Sequence, residues 1–240
     1  LRMIQNQLTS LFTHAAKIYD LPVNPCKKVK RMGNSDSRSL NFWTLDEYKQ
    51  FIQTMEPGTR YYLIFEMLFW TGCRIGELLA ITKADINFEK NQLSINKTYY
   101  RTGMQDIITE PKTKQSFRTI EIPEFLKEEI KEFVDGHYGM PDTERLFPVV
   151  QEAVQHKMKR QIELAGVKKI RVHDLRHSHV AYLIEKGVEP LLIRDRLGHK
   201  DIRITLNTYG HLYPNQQRKI ANLLDNENAV TGLGEERDEC

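Results

Sequence analysis

Apolar residues recur every three or four positions through most of this 240-residue chain, which predicts a mainly helical protein. Residues 1–19 form the first such stretch, and Pro22 and Pro25 end it. Its apolar stripe consists of Ile4, Leu8, Leu11, Ala15 and Ile18. The stretch begins without a capping residue, so we expect a further N-terminal portion in the natural protein.

A second region opens at Thr44, where Thr44 and Glu47 have the spacing of a capping box. We expect a helix from there to about Met55 and, after a break at Pro57-Gly58, a strongly apolar helix over residues 59–71. Further helices are predicted at 74–81, 123–134, 150–165, 172–186, 191–197, 201–208 and 214–224. Gly198 is placed like a helix C-cap.

Residues 93–122 change to a period of two, which is typical of strands. The apolar positions there are Leu93, Ile95, Ile107, Phe117, Ile120 and Ile122. They predict one small antiparallel sheet, with a polar, lysine-bearing connection at 110–116. The fold class is therefore mainly α with a small antiparallel β-sheet, or α+β.

Charge is distributed unevenly along the chain. The formal net charge is +3, but residues 225–240 hold six acids and one base, so the first 224 residues carry +8. A basic body favours an anionic partner such as nucleic acid. The basic stripe of the predicted linker 26–40 is either a solvated connection or a strap across a phosphate backbone. It consists of Lys27, Lys28, Lys30 and Arg31.

The three cysteines and the apolar segments argue against disulfide-bonded, zinc-binding and membrane-spanning proteins. Cys26, Cys73 and Cys240 are far apart and lack C-x-x-C spacing, so neither a disulfide framework nor a structural zinc site is predicted. The longest apolar stretch, residues 61–70, is too short to span a bilayer and includes Glu66. We expect a protein of a reduced intracellular compartment without a membrane.

Residues 172–209 hold the densest candidate chemistry. They include the sequence His173-Asp174-Leu175-Arg176-His177, the turn Leu197-Gly198-His199, and Tyr209. Helical spacing places His173 and Arg176 on a face that is expected to lie outside the hydrophobic core, whereas His179 lies on the apolar stripe. Asp174 is predicted to cap the helix and to aim its N-terminus at an anion.

Three of the candidate cations have ordinary explanations when read alone. Arg74, at a predicted helix junction, has Glu77 as an ion-pair partner on the same face. Lys112 and Lys114, in the tip between strands, are of a type that usually serves solubility, although such a tip can also enter a DNA groove.

A metal site and a metal-free site both fit the histidine spacing. His173 and His177 are four residues apart, a spacing that can bind zinc, but Arg176 on the same face and the lack of an acidic cluster weigh against a metal. In the metal-free interpretation, Arg74 and Arg176 clamp the oxygens of a phosphodiester.

The remaining groups complete the chemistry of a metal-free phosphodiester transfer. His173 and His199 donate hydrogen bonds or assist proton transfer, Tyr209 attacks phosphorus, and Lys112 protonates the leaving 5′ oxygen. A tyrosine needs a cationic pocket to ionise at neutral pH, since its ordinary pKa is about 10.

Four stretches resemble the tyrosine recombinase family, specifically the integrases of phages and conjugative transposons. They are TGCRIGELLAI (71–81), EPKTKQSFRTIEIP (110–123), HDLRHSHVAYLIEKG (173–187) and LGHKDIRITLNTYGHLYP (197–214). The resemblance covers about residues 41–224. It implies a catalytic set of six residues: Arg74, Lys112, His173, Arg176, His199 and Tyr209. Glu77 matches a supporting acidic position, and Tyr213 is the rival to Tyr209 as nucleophile.

The resemblance also implies a mechanism and an organisation. Tyr209 would form a 3′-phosphotyrosyl link to double-stranded DNA at attachment or transposon-end sites, without a cofactor, inside a homo-oligomer that is a tetramer in the synapse. Accessory DNA-bending or directionality factors are compatible with this assembly. Residues 1–25 would be the last helix of a core-binding domain, 26–40 a linker, 41–224 the catalytic domain and 225–240 an acidic tail. The location implied is the bacterial cytoplasm, at the nucleoid when DNA is bound.

Two other functions stay open on the sequence. A type IB topoisomerase shares this chemistry but relaxes supercoils without exchanging partners. A non-catalytic DNA-binding module is the second, because residues 180–208 also resemble a helix-turn-helix pattern.

Overall fold

The computed structural model describes residues 1–30, 41–111, 116–137, 139–212, 221–222 and 224–226. By backbone contacts the chain divides into two compact units, Leu1–Leu40 and Asn41–Cys240. Several of the predicted features lie outside the described residues. They are Arg31, Lys112, Lys114, Tyr213, the acidic tail over most of its length, and most of the helix expected at 214–224.

The first unit consists of α1 (Arg2–Ile18) and a short 3₁₀ turn at Pro25–Lys27. The buried Asn24 joins them, because its side-chain amide donates to the Thr9 carbonyl at 3.1 Å and to the Thr13 hydroxyl at 2.9 Å. The helix was predicted correctly, and it has no side-chain cap. Four residues of its apolar stripe are exposed: Ile4, Leu8, Leu11 and Ile18.

Nine α-helices in the described part of the chain account for most of the structure. Those of the second unit are α2 (Leu45–Ile52), α3 (Arg60–Thr71), α4 (Ile75–Leu78), α5 (Glu124–Asp135), α6 (Gln151–Ala165), α7 (Asp174–Glu185), α8 (Pro190–Leu197) and α9 (Ile202–Tyr209). The capping box predicted at Thr44 is confirmed, since the Thr44 hydroxyl accepts from the Glu47 N–H and the Glu47 carboxylate accepts from the Thr44 N–H. The C-cap predicted at Gly198 is also confirmed by its φ of 66°.

The strands form two antiparallel sheets, whereas one was expected. Strands β1 (Ile86–Asn87), β2 (Gln92–Ile95) and β5 (Arg118–Glu121) pair in the order β1-β2-β5. Strands β3 (Thr98–Thr102) and β4 (Gln105–Thr109) form a separate hairpin. The chain runs directly from β2 to β3, but β2 takes β5 as its neighbour, and this pairing cannot be read from periodicity.

Helix α3 lies at the centre of the core and directs the chain toward the candidate site. It is buried along most of its length, and Phe69 stacks on Tyr48 with ring centroids 3.7 Å apart. Gly72 ends the helix with a φ of 65°, and a Cβ there would lie 2.5 Å from the His179 ring. Only glycine fits this position, both for its backbone angle and for its close contact with α7.

Candidate functional site

Arg74 lies at the junction that Gly72 makes possible, between α3 and α4. It is the N-cap residue of α4, and its side chain is 40% exposed. The Glu77 carboxylate accepts from the Arg74 backbone N–H at 2.9 Å and from its Nη1 at 2.8 Å. The predicted ion pair is therefore present, and it leaves part of the guanidinium open to solvent.

Glu77 and Arg118 form a buried ion pair beneath Arg74. Their side chains are 4% and 6% exposed, and Arg118 donates from both terminal nitrogens, at 3.2 and 2.8 Å, to the two carboxylate oxygens. Burial opposes ionisation of Glu77, but Arg118 and then Arg74 outweigh it and lower the pKa of Glu77 to about 2. Arg118 Nε also donates to the Arg196 carbonyl, at 2.8 Å, so strand β5 is tied to α4 and α8.

We expect Glu77→Gln to lower the free energy of unfolding by about 3 kcal/mol at pH 7, because the buried Arg118 guanidinium loses its anion. The folded pKa of about 2 is below the ordinary value of 4.5. The contribution of ionised Glu77 to the free energy of unfolding is therefore complete above pH 4.5 and is lost as the pH falls toward 2. Urea unfolding of the unaltered chain and of Glu77→Gln, at pH 7 and at pH 3, measures this contribution. The exposed Glu163→Gln is the control, and an equal difference at both pH values would contradict the assignment.

Arg176 is buried, at 3% exposure, which corrects the expectation that the core does not claim its face of α7. Its Nη1 donates to the Gly72 carbonyl and its Nη2 to the Leu197 carbonyl, both at 2.7 Å. Within the described part of the chain, no carboxylate lies at ion-pair distance from it. Burial, and then the charge of Arg74, lower the pKa of Arg176 to about 9. A buried cation with neutral partners favours an anion beside it.

His199 and His173 lie close to these arginines. Gly198 ends α8, and the His199 Nδ1 lies 2.9 Å from the hydroxyl of the buried Thr205. Burial and then the charges of Arg176 and Arg74 lower the pKa of His199 to about 4. The pKa of His173 is also lowered, by burial first and then by Arg176. Both imidazoles are therefore neutral at pH 7 and can donate a hydrogen bond without carrying charge.

Tyr209, the last residue of α9, is 2% exposed. Its hydroxyl lies 2.6 Å from the Nδ1 atom of His177, and the two ring centroids are 5.6 Å apart. Burial raises the pKa of Tyr209 to about 12, although Arg176 acts in the opposite direction. The expected cationic surroundings are therefore present, but burial outweighs them and the phenol keeps its proton at neutral pH.

Asp174 does not cap α7 in the way predicted. It is the first residue of the helix, and its carboxylate accepts from the Arg171 backbone N–H at 2.8 Å and from the Arg171 guanidinium at 2.7 Å. The predicted N-cap hydrogen bond to the free N–H groups of the helix is replaced by this contact with the preceding turn. Asp174 therefore supplies a fixed negative charge at the base of the site.

The structure brings together five of the six residues predicted as catalytic. Arg74, His173, Arg176, His199 and Tyr209 affect one another's ionisation or share hydrogen-bonded neighbours. Lys112 lies outside the described residues. Among the predicted DNA-binding residues, Lys27, Lys28 and Lys30 are exposed on the first unit, whereas Arg31 and Lys114 also lie outside the described residues.

Two residues of the site have contacts that the sequence does not predict. For His177, the partner of Tyr209, the spacing suggests only a metal ligand. Arg118 had a usable signal, because a period of two places it on the same face of β5 as the buried Ile120 and Ile122. An arginine on the core face of a strand requires an anionic or carbonyl partner, and here it has both.

The described residues include neither a metal-binding cluster nor a membrane-spanning helix. No group of three or more His, Cys, Asp or Glu side chains there is arranged to hold a metal ion. Among the same residues, none of the helices has the length and apolar character needed to cross a bilayer.

Comparison with known proteins identifies relatives over nearly the whole chain. The model of the phage integrase family matches residues 41–216. The ICEBs1 integrase of Bacillus subtilis strain 168 is 32% identical over 245 residues, which cover 93% of this chain and 65% of that protein. A XerC-like tyrosine recombinase of Caldanaerobacter subterraneus subsp. tengcongensis is 28% identical, with coverage of 94% and 65%. This chain thus spans just under two thirds of the length of these relatives.

A solved structure shows the same fold. The Tn1549 transposon integrase, in complex with a circular intermediate DNA, superposes with a TM-score of 0.78 at 21% identity. The match covers 92% of this chain and 77% of that one. At this level of identity the likeness concerns the fold alone.

Proposed function

This chain belongs to the phage integrase family of tyrosine recombinases, and we propose that it is a site-specific DNA recombinase of a mobile element. It would cut and rejoin DNA strands through a 3′-phosphotyrosyl intermediate. The observation that carries this proposal is the buried Arg176, held by two neutral carbonyls and acting electrostatically on the phenol of Tyr209. This interaction supports the proposal that Arg176 binds the phosphate that Tyr209 attacks.

The electrostatics of the site support an anionic substrate. The pKa values of His173, His177 and His199 are all lowered, by burial first and then by neighbouring charged groups that include Arg176. Burial disfavours charge of either sign, but the part of these shifts that comes from Arg176 also favours a phosphodiester, which carries one negative charge. Within the described residues, the carboxylate nearest to the arginines is that of Glu77, and Arg118 and Arg74 already occupy it.

The proposed roles follow from this arrangement. Arg74 and Arg176 bind the non-bridging oxygens, and His173 and His199 donate to the charge that grows in the transition state. Tyr209 attacks phosphorus, and Lys112 protonates the leaving 5′ oxygen. The phosphotyrosyl bond retains the energy of the phosphodiester, so a 5′-hydroxyl of another strand can reverse the step without a cofactor.

The proposed organisation follows the family. Residues 1–25 would be the end of a core-binding domain, 26–40 a basic linker, 41–224 the catalytic domain and 225–240 an acidic tail. The partners would be double-stranded DNA and further copies of the chain, which would form a tetramer in the synapse. The Tn1549 relative was solved with a circular intermediate DNA, which supports a DNA partner here. The protein would act in the bacterial cytoplasm, at the nucleoid.

Covalent trapping from a random pool of duplexes tests the proposal and selects the DNA site in the same experiment. Short duplexes with a random core and one nick, which releases a small fragment after cleavage, are incubated with the chain in the presence of a chelator. We expect a protein–DNA adduct that survives denaturation and enriches one sequence. Proteolysis and mass spectrometry should place the DNA on Tyr209 and leave Tyr213 unmodified.

Three results would contradict the proposal or part of it. The absence of an adduct with any duplex would leave a DNA-binding module at most. An adduct on Tyr213 would overturn the assigned nucleophile. If the enriched duplex supports supercoil relaxation but no joining to a second duplex, the activity is that of a topoisomerase.

A further inference from the structure

The hydroxyl of Tyr209 contacts His177, a residue that none of the roles above uses. The separation of 2.6 Å between Tyr209 Oη and His177 Nδ1 is that of a short hydrogen bond. Both side chains are enclosed, with Tyr209 at 2% and the His177 side chain at 15% exposure. Since little water reaches the phenol, its hydrogen-bond partner, His177, is the group best placed to receive its proton.

The contact with Tyr209 fits the Nε2–H tautomer of His177. In that tautomer Nδ1 carries no proton and accepts from the phenol, and the ring proton resides on Nε2. Nε2 lies 4.0 Å from Oδ1 of Asp174. Burial opposes ionisation of Asp174, but Arg171 outweighs it and keeps the pKa of Asp174 below its ordinary value. An ionised carboxylate thus lies behind the ring, where positive charge would appear if Nδ1 took a proton.

Charged and titratable groups face His177 from each element around it. They are Asp174 and Arg176 on α7, His173 at its N-cap, Arg171 on the preceding turn, His199 on the turn after α8, and Tyr209 on α9. Burial, and then His173, lower the pKa of His177 to about 4 against the stabilising charge of Asp174. The ring is therefore neutral throughout the physiological range, which leaves a nitrogen lone pair available to the phenol.

We propose that His177 is the general base that takes the proton of Tyr209 as the phenol attacks DNA, an inference that rests on the proposed function. In this step the O–H bond of Tyr209 breaks and its proton moves to Nδ1. The freed electron pair of the oxygen forms the O–P bond. The P–O5′ bond breaks, and its electron pair stays on the leaving 5′ oxygen. The general acid, Lys112, protonates that oxygen.

The reverse reaction uses the same atoms. Lys112, left neutral by the forward step, takes the proton of the incoming 5′-hydroxyl as its oxygen attacks phosphorus. The O–P bond to Tyr209 breaks, and Nδ1 returns its proton to the phenol oxygen. Binding of a phosphodiester adds a negative charge among the site cations, which favours the imidazolium over the neutral ring. Asp174, whose Oδ1 lies 4.0 Å from Nε2, stabilises that imidazolium through its charge while its own hydrogen bonds go to Arg171.

Two substitutions separate proton transfer from positioning. His177→Asn places a carbonyl oxygen near the position of Nδ1, so it can accept the phenol hydrogen bond but cannot take the proton. His177→Ala removes both functions. His156→Asn, at an exposed site on α6, is the matched control. The substrate is the duplex enriched by covalent trapping, with and without sulfur in place of the bridging 5′ oxygen, because a thiolate leaves without a general acid.

We expect both His177 variants to form the Tyr209 adduct about 10²- to 10⁴-fold more slowly than the unaltered chain, on both substrates. On the sulfur substrate the unaltered chain should show a flat pH profile from pH 6 to 9. The variants should instead accelerate about tenfold per pH unit, because hydroxide must then remove a proton from a phenol whose pKa is about 12.

The outcomes separate this inference from the proposed function. Adduct formation by the unaltered chain together with a normal rate in His177→Asn would show that the ring only positions Tyr209. Rescue of either variant by the sulfur substrate would place His177 at the leaving group. Either result overturns the general base and leaves the recombinase intact, whereas absence of the adduct in the unaltered chain refutes the proposed function itself.

Discussion

Tyr209→Phe is expected to abolish the covalent adduct, with a loss of at least about 10⁴-fold in the single-turnover rate, because phenylalanine has no oxygen to attack phosphorus. Removal of the hydroxyl also leaves Nδ1 of His177 without its donor. This should lower the free energy of unfolding by about 1 kcal/mol, or a few degrees in Tm. Denaturing gels and thermal unfolding measure the two effects separately.

The control for this substitution is Tyr100→Phe, since the Tyr100 side chain is 43% exposed on β3. It should retain both the adduct and the stability. If Tyr209→Phe still forms an adduct, another residue is the nucleophile. If it unfolds at the assay temperature, the adduct result must be repeated below its Tm, where the mild expected destabilisation leaves it folded.

Arg176→Lys should lower the rate of adduct formation by about 10²- to 10³-fold. A lysine keeps the positive charge, but its single ammonium group cannot donate to Gly72 and Leu197 and also present a planar pair of donors to a phosphate. We expect the loss mainly in the rate of the bound complex and less in DNA affinity, because the charge is retained. Single-turnover rates across a range of protein concentrations separate the two.

Arg160→Lys, at an exposed position on α6, is the matched control and should react at the unaltered rate. A normal rate for Arg176→Lys would mean that charge alone, without guanidinium geometry, is sufficient. A defect confined to DNA affinity would assign Arg176 to binding and remove it from transition-state stabilisation.

The local features of the fold were predictable because they depend on residues close in sequence. The capping box at Thr44 needs only Glu47 three residues later, and it forms as expected. The helix end at Gly198 requires a residue that tolerates positive φ, and this glycine adopts it. Helix α9 ends at Tyr209, as its pattern indicated.

The contacts that define the site were not predictable in the same way, because their partners are distant in sequence. Arg118 and Glu77 are 41 residues apart, and His177 and Tyr209 are 32 residues apart. Periodicity assigns a residue to a helix face but does not say which carbonyl or carboxylate that face will meet. For this reason Arg176 was expected outside the core and is buried, and the single expected sheet is two.

The amino-acid order alone therefore specified the residue types of the site, the helices that carry them and the family to which they belong. Those properties follow from side-chain chemistry and from hydrogen bonds between near neighbours. Tertiary packing set the protonation states and the pairings. Burial raises the pKa of Tyr209 and lowers that of His177, because desolvation occurs only in the folded chain. The fold also brings the Tyr209 hydroxyl on α9 within hydrogen-bond distance of His177 Nδ1 on α7.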